Sequence, residues 1–341
     1  MAMTTGIAER LATRPLGLTG MEISRVGFGA WAIGGPDWAV GWGAQDDADS
    51  IRAIRHAVSR GVNWIDTAAI YGLGHSEEVV ARALAEMPVH ERPYVFTKCG
   101  QVWDPNDRNS KIRVGRKASI VQEAEDSLRR LRVERIDLLQ MHWPAEDGSA
   151  LDEYWGALLE LKAAGKVRAV GLSNHDAGQL AEAEGMGHVD TLQPPLSALK
   201  RGAMERDLPW CLARDTGVIV YSPMQSGLLS GAFSAERAAA LAADDWRSRH
   251  PDFTGENLVR NLAVAAAMKP VAERHGVSQA AVAVAWVLAV PGVTGAIVGA
   301  RSPAQVDGWV AAAGLVLSDE DLAGIAAAIR DSGAGSGPVP G

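Results

Sequence analysis

The chain has 341 residues, 47% hydrophobic and 22% charged, which is enough to bury a sizeable core in one large domain or two ordinary ones. Its formal charge of −8 argues against a general nucleic-acid or anionic-membrane binder, since both need basic patches. Cys99 and Cys211 make neither a disulfide framework nor a metal-ligand spacing, and the eight histidines form no His-Glu-x-x-His, so no metal site is expected.

Met1–Arg10 lacks an apolar core of signal-peptide length. Arg14–Ser24 has the turn residues of a small hairpin that would plug the floor of a barrel. Eight short β-rich runs follow: 26–30, 63–66, 94–98, 136–142, 168–173, 191–193, 218–222 and 295–298. Helical segments separate them. One begins near Asp46. Another has Ser119–Gln122 as a capping box ahead of a helix to Leu131, with acids early and bases late. Ser278 and Ser318–Asp321 start two more. Ser226 to about Glu256 is the longest irregular connection and reads as a lid. The longest apolar run, Ala280–Val290, is short of the roughly 20 residues that a membrane span needs. The tail Gly333–Gly341 is composed like a flexible end, as are residues 1–13. With no interior linker, the eight strand–helix units predict an α/β chain: a single (β/α)8 TIM barrel domain over 1–341, with an N-terminal β-hairpin and a C-terminal extra helix and tail.

One motif competes. Gly27-Phe-Gly-Ala-Trp-Ala32 matches the dinucleotide fingerprint of a Rossmann fold directly after a strand. That fingerprint needs a helix to begin at once, whereas Gly34-Gly-Pro-Asp37 breaks the chain first. A loop at a barrel mouth is the better expectation.

Asp66, Lys98, His142, Ser173 with Asn174, Gln193, and Tyr221 with Ser222 all fall at the C-terminal ends of successive strand candidates, where barrel active sites lie. Taken singly, each has a plain alternative: an Asx-turn at Asp66, a solvated Lys98, a hydrogen-bonded rim histidine at His142. Together they specify chemistry. The phenol of Tyr71 suits proton donation to a developing alkoxide, and a nearby ammonium is expected to lower its pKa. The carboxylate of Asp66 would anchor Lys98, and His142 would orient a carbonyl oxygen. None of the four donates hydride, so a cofactor is required. Cys99, on the opposite side of its strand from Lys98, is expected to be structural.

At this point the chain resembles the aldo-keto reductases over nearly its whole length, and is most similar to bacterial general-stress-type members. The resemblance is carried by Gly27–Gly35, Asp66–Gly72 with Ser76-Glu77, Thr97-Lys98, Ile136–Pro144, Gly165–Asn174, Gln193-Pro-Pro195, Tyr221–Met224 with Ser226–Leu229, and Gly299–Pro303. It implies an NADP(H)-binding barrel, NAD(H) being the lesser expectation, that reduces an aldehyde or ketone or runs in reverse on an alcohol or aldose. Tyr71 would be the proton donor, tuned by Lys98 and Asp66, with His142 on the substrate carbonyl. The cofactor would meet Gly29, Ala30, Trp31 and Asp66. Ser173, Asn174 and Gln193 would hold the carboxamide, and Tyr221 would stack on the ring. Ser222, Pro223, Met224, Ser226, Gly227 and Leu228 would line the pyrophosphate. Gly299, Ala300, Arg301 and Gln305 would meet the adenosine end, where the Arg301 fork suits a 2′-phosphate. Two departures from the family pattern stand out. Leu196-Ser197 replace a Tyr-Asn pair, and Gly308-Trp309 replace a Glu-Asn pair that hydrogen-bonds adenine, leaving packing or stacking, or looser binding, at that end.

Trp31, Trp103 and Trp143 follow strands directly. With Tyr71 and His142 they give a partly aromatic pocket for an apolar or sugar-like carbonyl compound, while Trp42 is expected to serve loop packing. The expected partner is thus a small carbonyl or alcohol substrate. No nucleic acid or membrane partner is implied, and the protein would be a cytoplasmic monomer or small homo-oligomer. The alternative is a cofactor-binding regulatory or sensor protein on the same barrel with slow turnover, which the four catalytic candidates alone do not exclude.

Overall fold

The computed structural model describes residues 11–36, 38, 40–242 and 245–340. Met1–Arg10 and Asp37, used in the readings above, lie outside that set. Strands β1 (Thr13–Pro15) and β2 (Glu22–Ser24) pair antiparallel as the expected hairpin. Eight strands then close a parallel barrel: β3 (Val26–Gly29), β4 (Trp64–Asp66), β5 (Tyr94–Cys99), β8 (Ile136–Met141), β9 (Val167–Ser173), β10 (Thr191–Gln193), β11 (Gly217–Val220) and β12 (Gly295–Gly299). The gap in numbering is a hairpin that the sequence reading did not anticipate, β6 (Gln101–Asp104) with β7 (Asp107–Arg113), inserted after β5. Helices cover the outside of the barrel, and none among the described residues is long and apolar enough to cross a membrane.

Successive side chains of a strand point to opposite faces, so each barrel strand feeds two cores. Outward positions such as Ile65, Val95, Cys99, Leu139 and Val220 join the helix-facing core, as expected for Cys99. Inward positions build the barrel interior. Trp64, Phe96, Leu138, Ala169, Ile219 and Ile297 form one buried cluster with Leu16, Met21 and Ile23 of the amino-terminal hairpin, which plugs the floor. The Gly27-x-Gly29 motif belongs to this packing. A Cβ on Gly27 would meet the Trp64 indole at 2.2 Å, and one on Gly29 would meet Ile297 at 2.8 Å. These glycines make room inside a barrel, and with the barrel closed the Rossmann alternative is ruled out.

Local starts and stops follow capping chemistry. Asp46, Ser278 and Ser318 accept hydrogen bonds from the first turns of their helices, and Ser318 with Asp321 completes a capping box. Ser119 does not cap. Its helix runs from Lys117 to Leu131, three residues earlier than a Ser119 cap implies, and the Ser119 hydroxyl donates to Glu123 instead. The connection after β11 holds only short turns, including Ala235–Ala239, before the long helix Gly255–His275. The glycine-rich tail differs from the flexible end that its composition predicts. Ala334 is buried, Ser336 bridges to Lys200, and the Arg201 guanidinium donates to the carbonyls of Ala198, Ala334, Gly337 and Pro338. Three tail carbonyls on one fork, Ala334, Gly337 and Pro338, outweigh the entropy favoured by the glycines.

Candidate active site

The inward register that carries Trp64, Phe96 and Leu138 carries Asp66, Lys98 and Gln140 two residues further on. The apolar interior therefore gives way to a polar layer just below the mouth. Lys98 is fully buried. Its ammonium donates to Asp66 Oδ1 at 2.5 Å, to the Thr67 carbonyl at 2.9 Å and to the Tyr71 phenol at 3.4 Å. Asp66 Oδ2 accepts from Gln193 Nε2 at 2.9 Å.

Tyr71 is delivered by a loop whose course is fixed from two sides. Thr67 and Ser76 hydroxyls lie 2.9 Å apart across its base, and Ser76 donates to the Ala30 carbonyl at 2.9 Å. Gly72, at φ +62°, passes so close to Gly34 that a Cβ there would lie 1.9 Å from the Gly34 carbonyl oxygen. The chain break at Gly34-Gly35 thus serves as a backrest for the Tyr71 loop. In the helix that follows, Glu77 does more than sit in the first turn. It is buried, accepting from Thr97 and Arg130, each at 2.6 Å.

His142, the first residue past β8, turns its ring edge-on to Tyr71 with centroids 5.7 Å apart. Asn174, at φ +61°, bridges two strands: its amide donates to the His142 carbonyl at 2.9 Å and its oxygen accepts from the Tyr221 hydroxyl at 2.7 Å. Ser173 donates to the Gln193 carbonyl at 2.9 Å.

Burial sets the protonation states. It pushes Tyr71 well above the ordinary phenol value, and the Asp66 charge adds to this. The lowering expected from Lys98 does not appear, because the ammonium is already neutralised by the closer carboxylate. Lys98 itself is lowered by burial, which the ion pair with Asp66 opposes, and Asp66 is raised by burial against the same pair. His142 is held well below its usual range by burial, then by Lys98 and Arg113. Near neutral pH the site therefore presents a protonated phenol and a neutral imidazole, both hydrogen-bond donors toward a carbonyl oxygen.

A cavity of about 850 Å³ opens above this layer. Tyr71, His142, Asp66, Trp31 and Trp143 line it, together with Gly29, Ala30, Ser173, Asn174, Gln193 and Tyr221. Ser222, Pro223, Met224, Ser226 and Gly227 also line it, as do Gly299, Ala300, Arg301 and Gln305. Three expectations change. Leu228 is fully buried in the outer core and does not line the cavity. Trp103 packs against the cluster of Trp38, Ala68 and Ile70, since a bulge between Val102 and Asp104 breaks the hairpin register at that residue. Trp42, assigned to loop packing, does line the cavity, edge-on to Trp31 and Trp246. Arg301 reaches the cavity, but its guanidinium donates to Gln45 Oε1 at 2.6 Å, to the Trp42 carbonyl at 3.2 Å and to that of Ala44. The sequence reading missed the β6–β7 hairpin, which brings Gln101, Lys111 and Arg113 to the mouth. Its signal was the turn Asp104-Pro-Asn-Asp107, where Asp104 accepts from the Asn106 amide at 2.8 Å.

The sequence model of the Aldo/keto reductase family matches residues 25–330. An aldo-keto reductase of Bacillus subtilis, YhdN, is 35% identical over 304 residues, 89% of each chain. An NADH-specific methylglyoxal reductase of Escherichia coli is 35% identical over 322 residues, 90% of this chain and 95% of the relative. Among solved structures, a glycerol dehydrogenase of Gluconobacter oxydans superposes with a TM-score of 0.85 at 39% identity, covering 94% of this chain and 96% of that one. The match runs through every barrel strand, Lys98 on β5 included, and through the loops that hold Tyr71 and His142, and on that extent the chain belongs to the aldo/keto reductase family.

Proposed function

We propose that this protein is an NADPH-dependent oxidoreductase that reduces an aldehyde or ketone, or oxidises the corresponding alcohol, with Tyr71 as general acid. The observation that carries this reading is the hydrogen-bond geometry of the buried layer. Lys98 donates to the phenol oxygen, which leaves the Tyr71 O–H free to point into the cavity. A nicotinamide held by the cavity residues would supply the hydride that the carbonyl carbon needs. Tyr71 gives its proton to the carbonyl oxygen as charge develops there, and the Lys98 ammonium stabilises the phenolate left behind. His142 holds the oxygen in line, and Asp66 keeps Lys98 in place.

The cavity suits a dinucleotide. The indole nitrogen of Trp42 is buried without a partner, and this residue lines the cavity, offering a donor or a stacking face. Gly227, at φ +95°, presents backbone where a Cβ would meet nothing within 4 Å. Arg237, Arg247 and Arg301 give the same wall three cations.

Arg301 supports the 2′-phosphate of NADP(H), yet its donors are engaged by the 42–45 loop, and one relative is named as NADH-specific. NADH is therefore the second reading. An aldehyde and alcohol panel run with both cofactors tests the assignment. The NADPH reading expects Arg301→Met to raise the KM for NADPH about tenfold or more while hardly moving that for NADH. Equal, small changes for both cofactors make Arg301 a loop latch and favour NADH. No turnover with either cofactor across the panel overturns the oxidoreductase reading.

A further inference from the structure

We propose that the mouth of the active site takes a carbonyl substrate bearing an oxyanion, a carboxylate or a phosphate, held by Lys111 and Arg113 of the β6–β7 hairpin. This rests on the oxidoreductase reading above and deepens it to a substrate class. Lys111 and Arg113 are two apart on β7 and so share one face of the hairpin, with Ile112 exposed on the other. Arg113 pairs across the hairpin with Gln101, and all three line the cavity that holds Tyr71 and His142.

The two cations differ in how they are held. The Arg113 guanidinium lies 4.4 Å from the Trp143 ring centroid and pairs with Glu146, so it is fixed beside the catalytic histidine. Its charge is felt there, being one of the causes that depress the basicity of His142. Lys111 has no hydrogen-bond or ion-pair partner among the described residues, although it fronts the cavity. The two carboxylates on this lining are each paired, Asp66 with Lys98 and Glu146 with Arg113. Glu146 is 64% exposed, so its bridge to Arg113 is a weak, solvent-screened surface pair that a bound oxyanion can replace. A chain with a formal charge of −8 thus turns a positive edge to its substrate entrance. A planar guanidinium fixed on an indole beside a mobile ammonium suits oxyanion capture, the first supplying direction and the second charge. A neutral aldehyde uses neither.

The test compares matched substrates with the full-length enzyme and its preferred cofactor: 4-oxobutanoate against butanal for a carboxylate, and glyceraldehyde 3-phosphate against glyceraldehyde for a phosphate. The expected result is a kcat/KM about tenfold or more higher for the anionic member of one pair, expressed mainly in KM and shrinking as salt is raised to about 0.5 M. The pair that shows it assigns the oxyanion. Lys111→Gln removes most of that ratio, and Arg113→Gln removes it as well, whereas the charge-matched change Lys269→Gln on an outer helix keeps it. Because Arg113→Gln also loses packing on Trp143, the exposed Lys111 is the cleaner variant, and its thermal midpoint is measured alongside. Equal kcat/KM within both pairs overturns the inference, as does an anionic preference that survives both hairpin variants. Turnover of butanal or glyceraldehyde in those same assays upholds the oxidoreductase reading by itself, so the two failures are distinguishable.

Discussion

The lower and upper halves of the barrel interior are built by the same strands on the same register, yet they do opposite work. Below, Trp64, Phe96, Leu138 and Ile219 interlock with the hairpin plug and hold nothing polar beyond the Trp64 indole, which donates to the Ser24 carbonyl at 2.8 Å. Above, Asp66 and Lys98, two residues further along their strands, form with Gln193 of β10 a buried network that relies on mutual pairing to be tolerated at all. The lower layer stabilises the barrel and is indifferent to chemistry. The upper layer costs stability and is retained for what it presents to the cavity. The boundary between them is one turn of pleat.

That division can be broken from either side. Tyr71→Phe is the largest expected effect: turnover of a reactive aldehyde falls by about 10²–10⁴-fold while cofactor affinity, followed by fluorescence titration, and the thermal midpoint stay near wild type. If turnover is unchanged, the proton comes from elsewhere. Trp64→Ala, one layer down, should do the reverse in kind, costing about 3–5 kcal/mol in denaturant unfolding because the plug cannot close the space. Residual folded enzyme should keep its KM.

Glu123 sharpens the boundary. It lies behind the mouth, accepting from the Gly100 amide at 2.9 Å and from Ser119, and burial raises its carboxyl to about 7. An acid whose folded pKa is raised binds its proton more tightly when folded. Its stabilising contribution is full below the unfolded value near 4.5 and is lost as pH rises through about 7. Unfolding free energy should thus decline by the order of 2 kcal/mol between about pH 5 and 8, and Glu123→Gln should flatten that decline. A wild-type profile already flat over that range counts against it. The smallest change is expected for Arg201→Met, which should release the tail at a cost of about 1 kcal/mol and expose it to limited proteolysis without altering turnover.

All eight barrel strands and the hairpin plug were legible in the sequence because their signals are local: short β-branched runs, turn residues, and chemistry-bearing side chains at the ends of the runs. Asp66, Lys98 and His142 could be placed at one mouth because topology alone brings strand ends together. What the sequence concealed depends on partners far along the chain. The ionisation of Tyr71 turns on its burial and, after that, on the charge of Asp66 beside it. The tail reads as flexible until Arg201 is seen to gather its carbonyls. Arg301 reads as a free fork until the 42–45 loop is seen to fill it. Trp103 and Trp42 exchanged roles for a similar reason, since neither a bulge nor a run of three edge-on indoles has a sequence period.

The shared inward register has a consequence for how this protein can change. Inserting or deleting one residue within β4 would exchange Asp66 for a neighbour and turn Trp64 toward the helices, so catalysis and folding would fail together. Length changes are tolerable only beyond the strand ends, where the β6–β7 hairpin and the loops around Trp42 and Arg247 sit. Lineages of this barrel are thus free to rewrite the loops at the entrance while the buried Asp66–Lys98 layer stays locked to the plug beneath it.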